Sequence, residues 1–333
     1  MPSAERPENP SSPISPVAPA NGLARPGNGK PGAAPARTKR RSGDTTGTLV
    51  LIGGACSPDG DALGTFVEKS NGREGGRIVG FTTASSDPMG SALAWRSDLK
   101  AAGATNVEIP IVDRRDAAQD ARIAKIVEGA QGIFLGGGDQ VHLVATIGGS
   151  RVGNAIRDAY RRGAVVCGTS AGAAALTETI LAGGEVDEAG KHTDMHIGPG
   201  LGLLGFRAMI DTHFAQRRRL HRLFVAIAAN PDLMGLGIDE DTALVVNGHL
   251  AEVVGKGGVT FVDGRGVRFD NANEVSSGAR LTLSYLRVGM IGPGYEFNLR
   301  ERELECLVEA RAIDAPVTMV TGETSAAGES GKR

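Results

Sequence analysis

A serine stands at the centre of Gly168-Thr169-Ser170-Ala171-Gly172, between the apolar run Ala164 to Cys167 and the alanine-rich stretch Ala173 to Leu181. The pattern predicts a strand, a tight turn and a helix, with the Ser170 hydroxyl raised above the sheet edge and flanking glycines that admit close backbone and substrate approach. That is where a nucleophile belongs. A helix N-cap also uses serine, and glycines mark many ordinary turns. A second loop, Gly136-Gly137-Gly138-Asp139-Gln140, follows another apolar run (Ile133, Phe134, Leu135) and favours the nucleophile reading.

A serine hydroxyl attacks only when a neighbouring base takes its proton, and histidine is the usual base. Six histidines compete. His142 lies on a helical stretch, His192 and His196 in a glycine-rich loop, His221 among arginines and His249 at a hairpin flank. His213 closes the apolar run Ala208, Met209, Ile210 in Asp211-Thr212-His213-Phe214, at a strand end. For the acid that orients the imidazole, Asp239, Glu240 and Asp241 crowd another strand edge, and spacing does not choose among them. Gln216, Arg217, Arg218, Arg219, His221 and Arg222 read as a charged helix in which Arg222 neighbours Arg218 and Arg219 while Arg217 points elsewhere. It is either a solvated face or a set of guanidinium forks for a carboxylate-bearing substrate.

Strands are expected at Thr48 to Ile52, Arg77 to Thr82, Val107 to Ile111, Ile133 to Leu135 and Ala164 to Cys167. They alternate with helices from Asp61 and near 89–102, 117–129, 140–147 and 152–162. This predicts an α/β fold, a doubly wound, mostly parallel sheet with the serine on a nucleophile elbow. Ligands bind such sheets at the carboxyl ends of the strands, where both glycine loops fall. Gly53-Gly54 is a third loop there, but fits neither the Walker nor the dinucleotide spacing and so gives no nucleotide site. After residue 235, short β-type runs (Leu244 to Val246, Ala251 to Val254, Val259 to Val262) are broken by Asn247-Gly248 and Asp263-Gly264, read as hairpin turns. They are expected to extend the sheet with antiparallel strands, with Leu281 to Val288 adding another.

The chain has 333 residues, 41% of them hydrophobic, enough for one large core. Residues 1–46, rich in Pro, Gly and Ser and basic at Arg37, Lys39, Arg40 and Arg41, read as disordered. Residues 47–312 read as the α/β domain and 313–333 as a second disordered tail. A net charge of −2 gives no sign of a nucleic-acid partner, and nothing approaches a membrane span or a signal peptide. Cys56, Cys167 and Cys306 form no disulfide framework, which suggests a reducing, cytoplasmic setting, with Cys56, in the first strand-to-helix loop, the one thiol to test for reactivity.

Taken in order, Gly137-Gly138-Asp139-Gln140, Gly168 to Ala173, Asp211-Thr212-His213-Phe214 with Gln216 to Arg219 and Arg222, and Gly237 to Ala243 resemble the cyanophycinases. These belong to a serine-peptidase family that also includes aspartyl dipeptidase. The resemblance spans residues 47–310. It implies a homodimeric exopeptidase acting on cyanophycin, a polyaspartate with arginine on each side-chain carboxylate, and releasing β-aspartyl-arginine without a metal or organic cofactor. It implies Ser170 as nucleophile, His213 as base, Glu240 as acid, and Gly138 and Ala171 as backbone donors to the oxyanion. It also implies a substrate pocket of Gln140, Asp211, Arg217, Arg219 and Arg222, with Asp211 a partner for substrate guanidinium. Thr212 stands where family members often carry glutamine. An aspartyl dipeptidase and an inert binding protein on the same scaffold are the alternatives.

Overall fold

Residues 49 to 52 alternate between two cores. Leu49 and Leu51 pack into one apolar cluster and Val50 and Ile52 into another, as expected of a strand covered on both faces. The computed structural model describes residues 47–184, 195–272, 274 and 280–307, with side chains given through residue 304. The segments expected to be disordered, 1–46 and 313–333, lie outside the described residues.

In chain order the elements are β1 (Thr48–Ile52), α1 (Asp61–Lys69), β2 (Arg77–Phe81), α2 (Pro88–Ala101), β3 (Asn106–Glu108), α3 (Ala121–Glu128), β4 (Gly132–Leu135), α4 (Gln140–Ile147) and α5 (Arg151–Arg161). Then come β5 (Val165–Thr169), α6 (Ala171–Ala174), β6 (Thr179–Gly183), β7 (His196–Pro199), β8 (Ala208–Thr212), α7 (Leu220–Ala228), β9 (Met234–Ile238), β10 (Thr242–Asn247) and β11 (Leu250–Gly255). The last are β12 (Val259–Asp263), β13 (Phe269–Asp270), β14 (Leu283–Ser284), β15 (Arg287–Ile291), β16 (Tyr295–Asn298) and β17 (Glu303–Leu307).

The main sheet has nine strands in the order β17-β16-β11-β10-β1-β5-β4-β2-β3. Its β1-β5-β4-β2-β3 half is parallel, and β10, β11, β16 and β17 extend it antiparallel from β1. This is the α/β architecture read from the strand and helix alternation. Because β3 lies outside β2 while β4 lies inside it, the β2/β4 boundary is a topological switch point, where loops splay and leave room for ligand.

Three local expectations differ. The run Val259 to Val262 does not join the main sheet: β12 lies in a second, four-stranded sheet of order β15-β12-β9-β8, and the strand expected from Leu281 to Val288 is split between β14, paired with β13 in a two-stranded sheet, and the start of β15 in the second sheet. Asn247-Gly248 does turn a hairpin between β10 and β11. Asp263-Gly264 instead opens a short 3-10 turn, because the Asp263 carboxylate accepts from Arg265 N at 3.1 Å. The helix after Ser170 is a single turn, and Thr179 to Gly183 is a strand. The Thr177 hydroxyl, bonded at 2.9 Å to Ala174 O and 2.7 Å to Thr179 O, helps turn the chain there, and β-branched residues follow.

Asp263 is a buried anchor between this second sheet and the C-terminal strands. It pairs with Arg265 and with Arg302, whose other amine donates to Asp232 O at 2.7 Å. Burial opposes ionisation, but the two guanidinium groups outweigh it and hold the Asp263 carboxyl below its usual range. A carboxyl pKa depressed by folding contributes stability above its unfolded value, ~4, and loses that contribution as pH falls through the folded value. Asp263→Asn is therefore expected to melt at a lower temperature than wild type at neutral pH, with the gap closing as both are acidified below ~pH 4. Melting curves across pH check this, and a gap that does not change with pH would contradict it.

Candidate active site

Ser170 sits between the end of β5 and the start of α6 with φ 52° and ψ −119°, a conformation that costs an L-residue on the order of 1–3 kcal/mol. Its neighbours leave little choice. Ser170 N donates to Ile52 O at 3.0 Å, and a Cβ on Gly172 would overlap the Leu135 carbonyl, so α6 can press against the end of β4 only with glycine there. Ser170 is left half-buried at this turn.

His213 directly follows β8 and is also left-handed, at φ 51°. Its Nε2 lies 2.9 Å from Ser170 Oγ and its Nδ1 lies 2.6 Å from Glu240 Oε1. The imidazole is mostly enclosed, with 13% of its side chain exposed. Phe214 fixes the chain just beyond it: the ring is buried over Gly237 of β9, and burying a phenylalanine contributes roughly 2 kcal/mol.

The three candidate carboxylates separate by geometry. Glu240 alone meets His213. Asp239 accepts from Ala215 N and Gly258 N, both at 3.0 Å. Asp241, at φ 52°, accepts from Ser57 N and Ser57 Oγ at 3.0 Å and from Lys256 Nζ at 2.6 Å. Burial would raise the Asp241 carboxyl, but Lys256 and the two Ser57 donors hold it below its ordinary value.

Gly53-Gly54 has a role that its sequence did not announce. Gly53 O accepts from His213 N at 2.7 Å and Gly54 O from Asp241 N at 2.9 Å, so this one loop holds both the histidine and the acid segment. A Cβ on Gly54, whose φ is +110°, would overlap the His213 ring. The loop is a backing plate for the imidazole. The signal available in the sequence was a glycine pair ending a buried strand, which reads equally as a turn.

The remaining candidates fall as follows. Gly138, at φ +136°, and Ala171, the first residue of α6, lie on the two loops that meet at Ser170; a Cβ placed on Gly137 would stand 3.2 Å from Ser170 Cβ. Gln140 opens α4 and donates to Leu181 O of β6 at 2.7 Å. Asp211 is buried, and its guanidinium partners are the chain's own. Arg222 Nε donates to Oδ2 at 2.9 Å and Nη2 to Oδ1 at 2.6 Å, while Arg219 Nη1 donates to Oδ1 at 3.2 Å. Arg217 is exposed. The charged helix expected from Gln216 is instead a series of turns to Arg219, with Arg218 left-handed at φ 52°. α7 starts only at Leu220, so helical spacing does not relate Arg218 to Arg222.

Among the other histidines, His142 Nε2 lies 3.2 Å from Asp113 O, and His196 and His221 are exposed. His192 lies outside the described residues. Cys56, the thiol singled out for a test of reactivity, is buried against Thr169, and burial pushes it up to about 11, so little thiolate forms at neutral pH.

Residues 72–254 match the family described as peptidase family S51. Cyanophycinase from Synechococcus elongatus is 33% identical over 277 residues, covering 81% of this chain and 84% of the relative. Cyanophycinase from Trichormus variabilis is 33% identical over 268 residues, covering 79% and 89%. The crystal structure of a peptidase from an acI-B1 actinobacterium superimposes with a TM-score of 0.56 at 19% identity, over 77% of this chain and 98% of that one, a likeness of fold.

Since Gly54 leaves the imidazole its space, Gly54→Ala is expected to slow fluorophosphonate labelling of Ser170 by about a hundredfold, the cost of misplacing a reacting group by ~1 Å. Labelling at the wild-type rate would show that the ring does not depend on this loop.

Proposed function

The chain belongs to peptidase family S51, a serine-type peptidase, and on that footing we propose that it hydrolyses cyanophycin from a chain end to β-aspartyl-arginine through an acyl-enzyme. The observation that carries the reading is the unbroken run Ser170 Oγ, His213 Nε2, His213 Nδ1, Glu240 Oε1, with contacts of 2.9 and 2.6 Å.

In this reading Ser170 Oγ attacks the backbone carbonyl carbon while His213 Nε2 takes its proton. Glu240 accepts a hydrogen bond from Nδ1–H, holds the tautomer and steadies the imidazolium. The N–H groups of Gly138 and Ala171 receive the oxyanion, a stabilisation worth about 10²–10³ in rate per donor. The intermediate collapses, His213 gives its proton to the leaving amine, and the acyl part of the cleaved bond stays esterified to Ser170. Water, deprotonated by His213, then hydrolyses the ester and restores the serine.

Every β-aspartyl-arginine unit carries a free carboxylate on its arginine, which suits a guanidinium fork. Arg219 and Arg222 both donate to the carboxylate of Asp211, two residues before the base in the chain, which brings two guanidinium groups together beside the site. Asp211 thus serves the pocket by ordering these arginines. Arg217 adds an exposed cation, and Gln140 ties the Gly138 loop to β6.

Incubating wild-type and Ser170→Ala protein with insoluble cyanophycin, then analysing the supernatant by mass spectrometry, tests the substrate. Release of β-aspartyl-arginine by wild type alone is expected. Hydrolysis of Asp-X dipeptides in preference to the polymer would overturn the cyanophycin reading and favour the dipeptidase.

A further inference from the structure

The segment after His213 and the segment carrying Glu240 are joined by a reciprocal clasp. Ala215 N donates to the side chain of Asp239 at 3.0 Å, and in return Glu240 N donates to Oε1 of Gln216 at 3.1 Å. Phe214 N also donates to Ile238 O at 3.2 Å. Each loop thus supplies a side-chain acceptor to the other's backbone. The bond from Glu240 N is the one made by the acid residue itself, immediately next to the carboxylate that meets His213 Nδ1 at 2.6 Å.

From this geometry we infer that Gln216 is a positioning residue: its amide oxygen fixes the Glu240 main chain so that the carboxylate stays on His213. The inference rests on the reading of Ser170, His213 and Glu240 as the reacting groups. Gln216 is exposed, and fixing a long side chain costs about as much as one hydrogen bond returns. The contact therefore does little for folding, and its consequence falls on the orientation of the acid. Arg217 N donates to His213 O at 2.9 Å and Arg219 N to Phe214 O at 3.0 Å, so the turn that presents Gln216 is itself braced against the histidine.

The test compares Gln216→Met, which keeps the length of the side chain and lacks the acceptor, with Gln216→Glu, which keeps an acceptor oxygen at the same reach. The readout is the rate of fluorophosphonate labelling at Ser170, which does not depend on which peptide is the substrate. Gln216→Met is expected to label about tenfold more slowly with an unchanged melting temperature, and Gln216→Glu within a few-fold of wild type. In a Glu240→Ala background, Gln216→Met is expected to cost nothing further. Wild-type labelling by Gln216→Met, equal slowing by Gln216→Glu, or a cost that persists without Glu240 would each overturn the inference. A wild-type protein that takes no label at Ser170 would instead overturn the nucleophile reading beneath it.

Discussion

The 2.9 Å contact between Ser170 Oγ and His213 Nε2 joins two different sheets. Ser170 directly follows β5 of the nine-stranded sheet, and His213 directly follows β8 of the four-stranded one. Glu240 lies on the connection from β9 to β10, where the chain crosses from the small sheet to the large. The three groups keep these contacts only if the two sheets hold their separation. The backbone bonds His213 N to Gly53 O, Gly53 N to Thr242 O and Asp241 N to Gly54 O supply that constraint, at 2.7, 3.0 and 2.9 Å. The loop after β1 is therefore the hinge post of the site, although it contributes no reacting side chain.

Holding that arrangement costs backbone strain. Of the eight non-glycine residues with positive φ among the described residues, Ala55, Ser170, His213, Arg218 and Asp241 lie on these same loops. Each turns a side chain where the strand direction alone would not send it. The conformations persist because they are over-determined: Phe214 is buried beside His213, Asp241 is fixed by Ser57 and Lys256, and Ser170 N is bonded to β1.

The parallel half of the sheet was legible because apolar runs separated by amphipathic stretches admit few other arrangements. Ser170 was legible because a glycine-flanked serine between strand and helix is a local pattern, and His213 because it closes an apolar run. Asp239, Glu240 and Asp241 were beyond choice in one dimension: adjacent carboxylates point in different directions, and the left-handed turn at Asp241 that sorts them leaves no mark in composition. The second sheet was hidden for a related reason, since Val259 to Asp263 reads as a strand whichever sheet it joins. The arginine run misled because its residues are good helix formers. The turns from Phe214 to Arg219 are imposed from outside, by Asp239 on Ala215 N and by the Asp211 carboxylate drawing in Arg219 and Arg222.

The central claim is that Glu240 acts on Ser170 only through the imidazole of His213. Fluorophosphonate labelling of Ser170 in His213→Ala, Glu240→Gln and the double variant tests it directly. The account predicts that each single substitution slows labelling and that Glu240→Gln costs nothing more once His213 is gone, as for groups that act as a unit. An equal slowing by Glu240→Gln with and without His213 would contradict it.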